Sequence, residues 1–249
     1  MMDAEPSPAR AVYRSITGTS VALEDIAQMA TNYVLSRSGQ SVLETNKLIR
    51  NTYTLLSMTL LFSALMAAVS MAVRVGPGAY LACTLGAFAL VWLVLPRTAN
   101  SASGIGVVFA ITGLLGFSLG PILNIYLKMP GGAQTIMMAM GGTGVIFLGL
   151  SGYALTTKRD FSFMGGFLFV GMLVVLGASL LNIFFAVPAA SLAISAAVVL
   201  LMSGFILFDT GRLVNGGETN YVLATISLYM SIFNIFINLL QLLGAIRDE

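Results

Sequence analysis

Histidine is absent from this 249-residue sequence, and cysteine occurs once, as Cys83. The commonest metal ligand and the usual near-neutral acid–base group are therefore missing. That excludes a Ser-His-Asp triad and a Cys-His pair, and leaves no basis for a zinc site. Cys83 lies inside an apolar run, and a lone cysteine cannot form an intramolecular disulfide. Charge is also scarce. Only 9% of residues are charged, against about 25% in a soluble domain, so so few charges could not solvate a protein of this size in water. The net charge of +2 implies no basic field for nucleic acid. The fragments Gly104-Ile105-Gly106 and Gly142-Thr143-Gly144 are not completed to a phosphate-binding loop, and no cofactor is expected.

What the chain has instead is hydrophobic length. Hydrophobic residues make up 57% of it, and from residue 52 long apolar runs alternate with short polar breaks. A membrane-spanning helix needs about 20 apolar residues, and seven segments are predicted to span: 52–73, 79–95, 104–127, 133–156, 161–187, 189–208 and 221–244. Between residues 52 and 208 every charged residue falls in a break, as expected when a central charge costs several kcal/mol. The predicted fold is an all-α integral membrane bundle of seven transmembrane helices, residues 51–249, with the lipid bilayer as its solvent.

Residues 1–50 are different, and are expected to form a polar cytoplasmic tail. They hold five of the twelve basic and five of the ten acidic residues. No apolar run long enough for a signal-peptide core precedes residue 52. Residues 1–20 read as disordered, and residues 21–36 as a short amphipathic helix on the membrane surface. With the N-terminus cytoplasmic, the inner side carries Lys47, Arg50, Arg97, Lys158, Arg159 and Arg212. The outer side then carries Arg74, Lys128 and Arg247, and six against three favours that orientation by the positive-inside rule. Glycines at close spacing (Gly113, Gly116 and Gly120; Gly141, Gly142, Gly149 and Gly152; Gly165 and Gly166) are read as small-residue sites of close helix approach.

The last span carries a polar stripe. Ser227, Ser231, Asn234, Asn238 and Gln241 recur every three or four residues, which places them on one helix face. Amides facing lipid would be unpaired in hydrocarbon, so the stripe should face the bundle. It serves either interhelical hydrogen bonding, worth about 0.6 kcal/mol per contact, or a hydrated path or charge-binding cavity. Asp209 ends the predicted sixth span. An acid at membrane depth is a candidate proton- or ion-sensing group, and the plainer alternatives are a cap in water or a pair with Arg212. Arg212 and Glu218 are placed in the connecting loop.

These residues carry a resemblance. Gly204-Phe205-Ile206-Leu207-Phe208-Asp209-Thr210, then Asn220-Tyr221-Val222-Leu223-Ala224-Thr225, Ser227-Leu228-Tyr229 and the ending Asn234-Ile235-Phe236 with Leu239-Leu240-Gln241-Leu242-Leu243-Gly244 resemble the signature of the transmembrane Bax-inhibitor-motif family. The chain looks most like its bacterial YccA-type members, over about residues 45–249. The resemblance implies a seven-helix fold with a central, sparingly polar last helix, in the bacterial cytoplasmic (inner) membrane. It implies one of two functions. YccA-like members modulate the membrane protease FtsH. Other members are pH-sensitive calcium leak channels, in which two aspartates on the last two helices share a proton. Asp209 matches the first aspartate, but Ser231 stands in the segment where the channel type has the second. A serine cannot share a titrating proton, and calcium prefers several oxygen ligands with carboxylate charge. The FtsH complex is therefore the expected partner, calcium ion the alternative, and no enzymatic activity is expected.

Overall fold

The computed structural model describes residues 43–76, 78–157 and 159–247. Residues 1–42 lie outside them, including the disordered stretch and the amphipathic helix expected there. Among the described residues there is no strand. Seven helices are long and apolar enough to cross a membrane: α1 Leu43–Val73, α2 Gly78–Thr98, α3 Ser103–Lys128, α4 Gly132–Thr157, α5 Met164–Phe185, α6 Pro188–Val214 and α7 Tyr221–Arg247. The chain is a multi-pass membrane protein with the seven-helix architecture expected from its apolar runs. The chain divides into two units, residues 1–47 and 48–249.

Several helix ends differ from the runs, α5 spanning Met164–Phe185 and α7 reaching Arg247 among them, and three have a visible cause. α1 begins before residue 52, because Leu48 and Ile49 pack on the core cluster that contains Leu56, Val108 and Leu228. Helical spacing of these apolar residues continues into the polar segment that hydropathy alone discards. α2 passes through Pro96 to Thr98. A proline ring clashes with the carbonyl four residues back, and here a π-turn at Leu90–Val94 widens the helix just before it. α6 runs on to Val214 because Leu213 is fully buried in the core. Between α5 and α6, Ala186 is left-handed (φ 48°), Val187 is extended and Pro188 takes the first turn of α6. That follows from the restricted backbone before proline and the preference for proline at a helix start.

α3 and α7 form the centre. Of their most apolar stretches, 56% and 50% are buried in the protein, against 11% for α2 and 6% for α5. α7 packs on α6, α4 and α3, whereas α2 lies against α3 and α5 against α6. α1 joins the centre through side chains. Thr225 of α7 donates to the Thr52 carbonyl (3.3 Å), and Ser63 is 2.6 Å from the Tyr229 hydroxyl, which in turn donates to the Thr112 carbonyl of α3.

The close approach of α1 and α3 rests on the glycines of α3. A Cβ at Gly113 would meet the Phe62 ring (2.7 Å), one at Gly116 would strike the Ser63 backbone, and one at Gly120 would strike Ser70. The glycines of α4 do less than their spacing suggests. A Cβ at Gly142 would come 3.3 Å from Leu239, but one at Gly141, Gly149 or Gly152 meets nothing within 4 Å. On α5, a Cβ at Gly165 would come 3.0 Å from the Phe208 ring, and one at Gly166 would meet nothing within 4 Å.

Gly116→Val should therefore lower stability by about 1–3 kcal/mol through overpacking against backbone that cannot yield, while Gly149→Ala should be neutral or slightly stabilising through helix propensity. Thermal unfolding in detergent, followed by circular dichroism, distinguishes the two; equal effects would show that α1 and α3 are not held at this distance.

Candidate functional site

Polar side chains of α6 and α7 meet along the seam between these two helices. Asp209 is inside α6, five residues before its end, and is 8% exposed. A buried charge or polar group is costly unless hydrogen-bonded. Asp209 has a donor, since Ser227 Oγ of α7 donates to its Oδ2 at 2.5 Å. The geometry thus brings together Asp209 and Ser227, the first residue of the stripe. Ser231, one turn further on, is buried at 3% exposure, and it is Ser227 that bonds the carboxyl.

Arg212 belongs to the last turn of α6 and not to the connecting loop. It does not form an ion pair with Asp209. Its Nη2 is 3.3 Å from Glu218 Oε2 and donates to the Gly217 carbonyl at 2.9 Å. The guanidinium also lies over the Phe208 ring, 5.6 Å from its centroid. Glu218 is a loop residue, as read from the sequence, but it is held, accepting from the backbone N–H of Thr219 (3.0 Å) and Asn220 (2.9 Å). Asn220 then caps α7. Its Oδ1 accepts from the N–H of Val222 (2.8 Å) and Leu223 (3.2 Å), as capping asparagines do. Its Nδ2 reaches Ala99 O (3.0 Å) and Asn100 Oδ1 (2.7 Å), tying the α2–α3 connection to the start of α7. Asp209, Arg212, Glu218, Ala224 and Ser227 border a small cavity of about 170 Å³.

Directly behind Asp209 is a hydroxyl cluster that the sequence did not reveal. Thr210, fully buried, lies 3.3 Å from the Tyr53 hydroxyl of α1 and 3.4 Å from Ser151 Oγ of α4. Tyr53 and Ser151 are also hydrogen-bonded to each other. The three residues are far apart in the chain, and only Thr210 sits in a motif. Their one sequence signal is a polar side chain near the end of an apolar run, which is common.

The rest of the stripe divides in two. Asn234 and Asn238 turn their amides back to their own helix, donating to the carbonyls of Met230 and Asn234 at 2.8 Å each. Gln241 pairs across the seam, accepting from Ser195 Oγ at 3.0 Å and donating to Ser191 Oγ at 2.8 Å, both on α6. Asp209 and Gln241 are thus the two points at which polar side chains lock α6 to α7. Between them Met202, Ile206 and Ile235 form a closed apolar cluster. Chemically, the site offers one carboxyl with one hydroxyl donor, next to an Arg–Glu pair at the mouth of a small cavity. Outside the spans, the Asp160 carboxyl is held below its usual range by its hydrogen bonds to Ser162.

Ser227→Ala removes the donor to a buried carboxyl, so it should cost about 1–3 kcal/mol. Ser231→Ala should cost distinctly less. Denaturant or thermal unfolding of both variants in the same detergent checks the order, and a larger loss for Ser231→Ala would overturn the assignment of Ser227 as the carboxyl's partner.

The sequence profile of the family "Inhibitor of apoptosis-promoting Bax1" matches residues 45–248. An uncharacterized membrane protein of Vibrio cholerae is 49% identical over 217 residues, 87% of this chain and 97% of that one. The Escherichia coli K12 protein named modulator of FtsH protease YccA is 48% identical over 214 residues, 86% of this chain and 97% of its own length. The corresponding protein of Escherichia coli strain CFT073, named inner membrane protein YccA, matches at the same identity and coverage. With the profile covering α1 to α7 and relatives 48–49% identical over 97% of their own length, the chain belongs to the Bax-inhibitor family, among its bacterial YccA-like members.

Proposed function

We propose that this protein is an inner-membrane regulatory protein that modulates an FtsH-type membrane protease. The observation that carries the reading is the likeness to the FtsH modulator YccA across almost all of that protein's length. The charge pattern supports an N-terminus in the cytoplasm. The residues before α1 then form a polar length of chain on the side where a protease that pulls on a terminus could engage it.

A pH-sensitive calcium or cation leak is the second reading. It is favoured by one observation, the buried Asp209 bordering a cavity beside Arg212 and Glu218. Ser231 in place of a second acid, and an apolar cluster across the middle of the seam, weigh against it.

The first reading predicts that the full-length chain co-isolates with the FtsH complex from a bacterial membrane and lengthens the half-life of a membrane substrate of the protease. Deleting residues 1–40 should weaken both. A substrate half-life that stays the same with and without the full-length chain would overturn the modulator reading. The leak reading predicts calcium flux in liposomes whose pH response changes in Asp209→Asn; flux no greater than that of empty liposomes, at acidic and alkaline pH alike, removes it.

A further inference from the structure

Asp209 is a buried acid whose charge the described residues do not meet. Among them the one ion pair joins Arg212 to Glu218. The Arg212 guanidinium is engaged further by the Gly217 carbonyl and the Phe208 ring. Glu218 accepts from two backbone N–H groups besides. Both side chains are thus committed to each other and to the loop. Asp209 has a single neutral donor, Ser227 Oγ, on its Oδ2, and its Oδ1 takes no hydrogen bond from the described residues. Such an oxygen on a buried carboxyl is costly unless something outside the chain meets it. Water supplies the hydrogen bond but not the opposite charge. The side chain borders the small cavity, whose lining carries one cation, Arg212, against two acids, Asp209 and Glu218. The cavity is therefore one positive charge short.

The walls select the kind of cation. Calcium takes about 6–8 oxygen ligands. Here both Glu218 oxygens are spent, and Asp209 Oδ2 and Ser227 Oγ are bonded to each other. The rest of the lining is Leu223 and Ala224, which are apolar and belong to the first turn of α7. Depth matters as well. Asp209 stands five residues inside the end of α6, about 7–8 Å at 1.5 Å per residue, and Arg212 and Glu218 stand nearer that end. A bare ion would have to shed its water to pass between them.

A primary ammonium on an aliphatic stem meets each of these conditions. It is a compact point charge with three donors, enough for Oδ1 and a lone pair of Ser227 Oγ. Its methylenes replace water along Leu223 and Ala224. A stem of about four carbons, as in lysine, is of the order of the depth. A guanidinium fits less well, because its planar fork is best met by both oxygens of a carboxylate, and Ser227 holds one of them.

We propose that the cavity at Asp209 is a binding site for a primary alkylammonium group, with its nitrogen on Asp209 Oδ1 and its stem along Leu223 and Ala224. The group belongs either to a free aliphatic amine or to a lysine side chain presented by another protein at that end of the bundle. The ligand is inferred from the cavity alone, so its failure leaves the protease-modulator reading standing, and failure of that reading leaves the site.

The test is saturation-transfer NMR on the full-length protein in nanodiscs, titrated at constant ionic strength with butylammonium and, for comparison, with ammonium ion and calcium. Butylammonium should bind about tenfold more tightly than ammonium, which has the charge without the stem. Asp209→Asn should weaken butylammonium about tenfold by removing a charge-assisted bond. Leu223→Ala should cut its advantage over ammonium about threefold, and serves alone if Asp209→Asn lowers the helical content. Asp160→Asn, on the exposed α4–α5 connection, should bind as the unaltered protein does. A lysine tripeptide with blocked ends that binds more tightly than butylammonium assigns the site to a protein side chain, and equal or weaker binding assigns it to a free amine. Absence of saturable butylammonium binding, or binding unchanged in Asp209→Asn and Leu223→Ala, would overturn the site. Displacement of butylammonium by an equal concentration of calcium would overturn the choice of ligand.

Discussion

Hydrocarbon offers no hydrogen bonds, so each polar side chain in a membrane bundle needs its partner inside the protein. α7 is the helix on which that demand falls most heavily, and its stripe determines how the bundle is assembled around it. Ser227 and Gln241 are met by α6, Thr225 by α1, and the Tyr229 hydroxyl by α1 and α3. Asn220 holds the entrance to α7 against the α2–α3 connection. A helix with partners on so many sides can only be central, and the peripheral places are left to α2 and α5, whose faces are apolar enough to meet lipid. Each bond is small by itself, about 0.6 kcal/mol between membrane helices. Their effect is on register: a shift of α7 by one residue would turn the stripe away from all its partners together.

How much of this was legible follows from which signals are local. The seven spans could be read because hydropathy is a property of one segment at a time. The stripe could be read as a pattern because helical spacing is also local. The end of α6 could not, because what carries the helix past Phe208 is the core packing of Leu213, a tertiary fact, and with it Arg212 moves from loop to helix. Ser227 against Ser231 illustrates the same limit. Both lie on one face of α7, and choosing between them requires the axial offset of α6 against α7, which no single-helix pattern contains. The glycines divide likewise. A Cβ at Gly113, Gly116 or Gly120 would strike α1, whereas one at Gly141, Gly149 or Gly152, which have the same kind of spacing, would meet nothing within 4 Å. Spacing states where a close approach is permitted, and the partner decides whether it happens.

The two ends of the bundle are unlike in a way the sequence also contains but does not display. Asp209, Arg212, Glu218 and Asn220 gather where α6 finishes and α7 begins, Asp209 bonded to Ser227 and Glu218 joining Arg212 to Asn220. Toward the other end the bundle holds an apolar cavity between α1, α3, α4 and α7. The difference arises because α7 is polar on the face toward α6 and carries Tyr229, Ile232, Phe233 and Phe236 on the face toward α1 and α4. One helix therefore presents a hydrogen-bonding surface to one neighbour and an apolar one to the others.

That division bears on what the seam can do. An ion path from Asp209 to Gln241 would have to run along the stripe, yet the two asparagines between them give their amide protons to their own backbone. Ile206 and Ile235, both fully buried, close the same interval with Met202. In this arrangement the amides of the stripe are engaged in contacts within the protein. Opening it would mean drawing α6 from α7 and breaking the bond from Ser227 to Asp209 at one end and the bonds of Gln241 to Ser191 and Ser195 at the other. The apolar cluster between them would be exposed in the same movement. A change in the charge of Asp209 acts on only the first of these bonds. With no second carboxyl at Ser231 to repel it, titration of Asp209 alone supplies less force for parting the helices than an aspartate pair would. The seam is therefore better suited to holding α6 and α7 together than to gating between them, which is the property a regulatory binding partner needs and a leak does not.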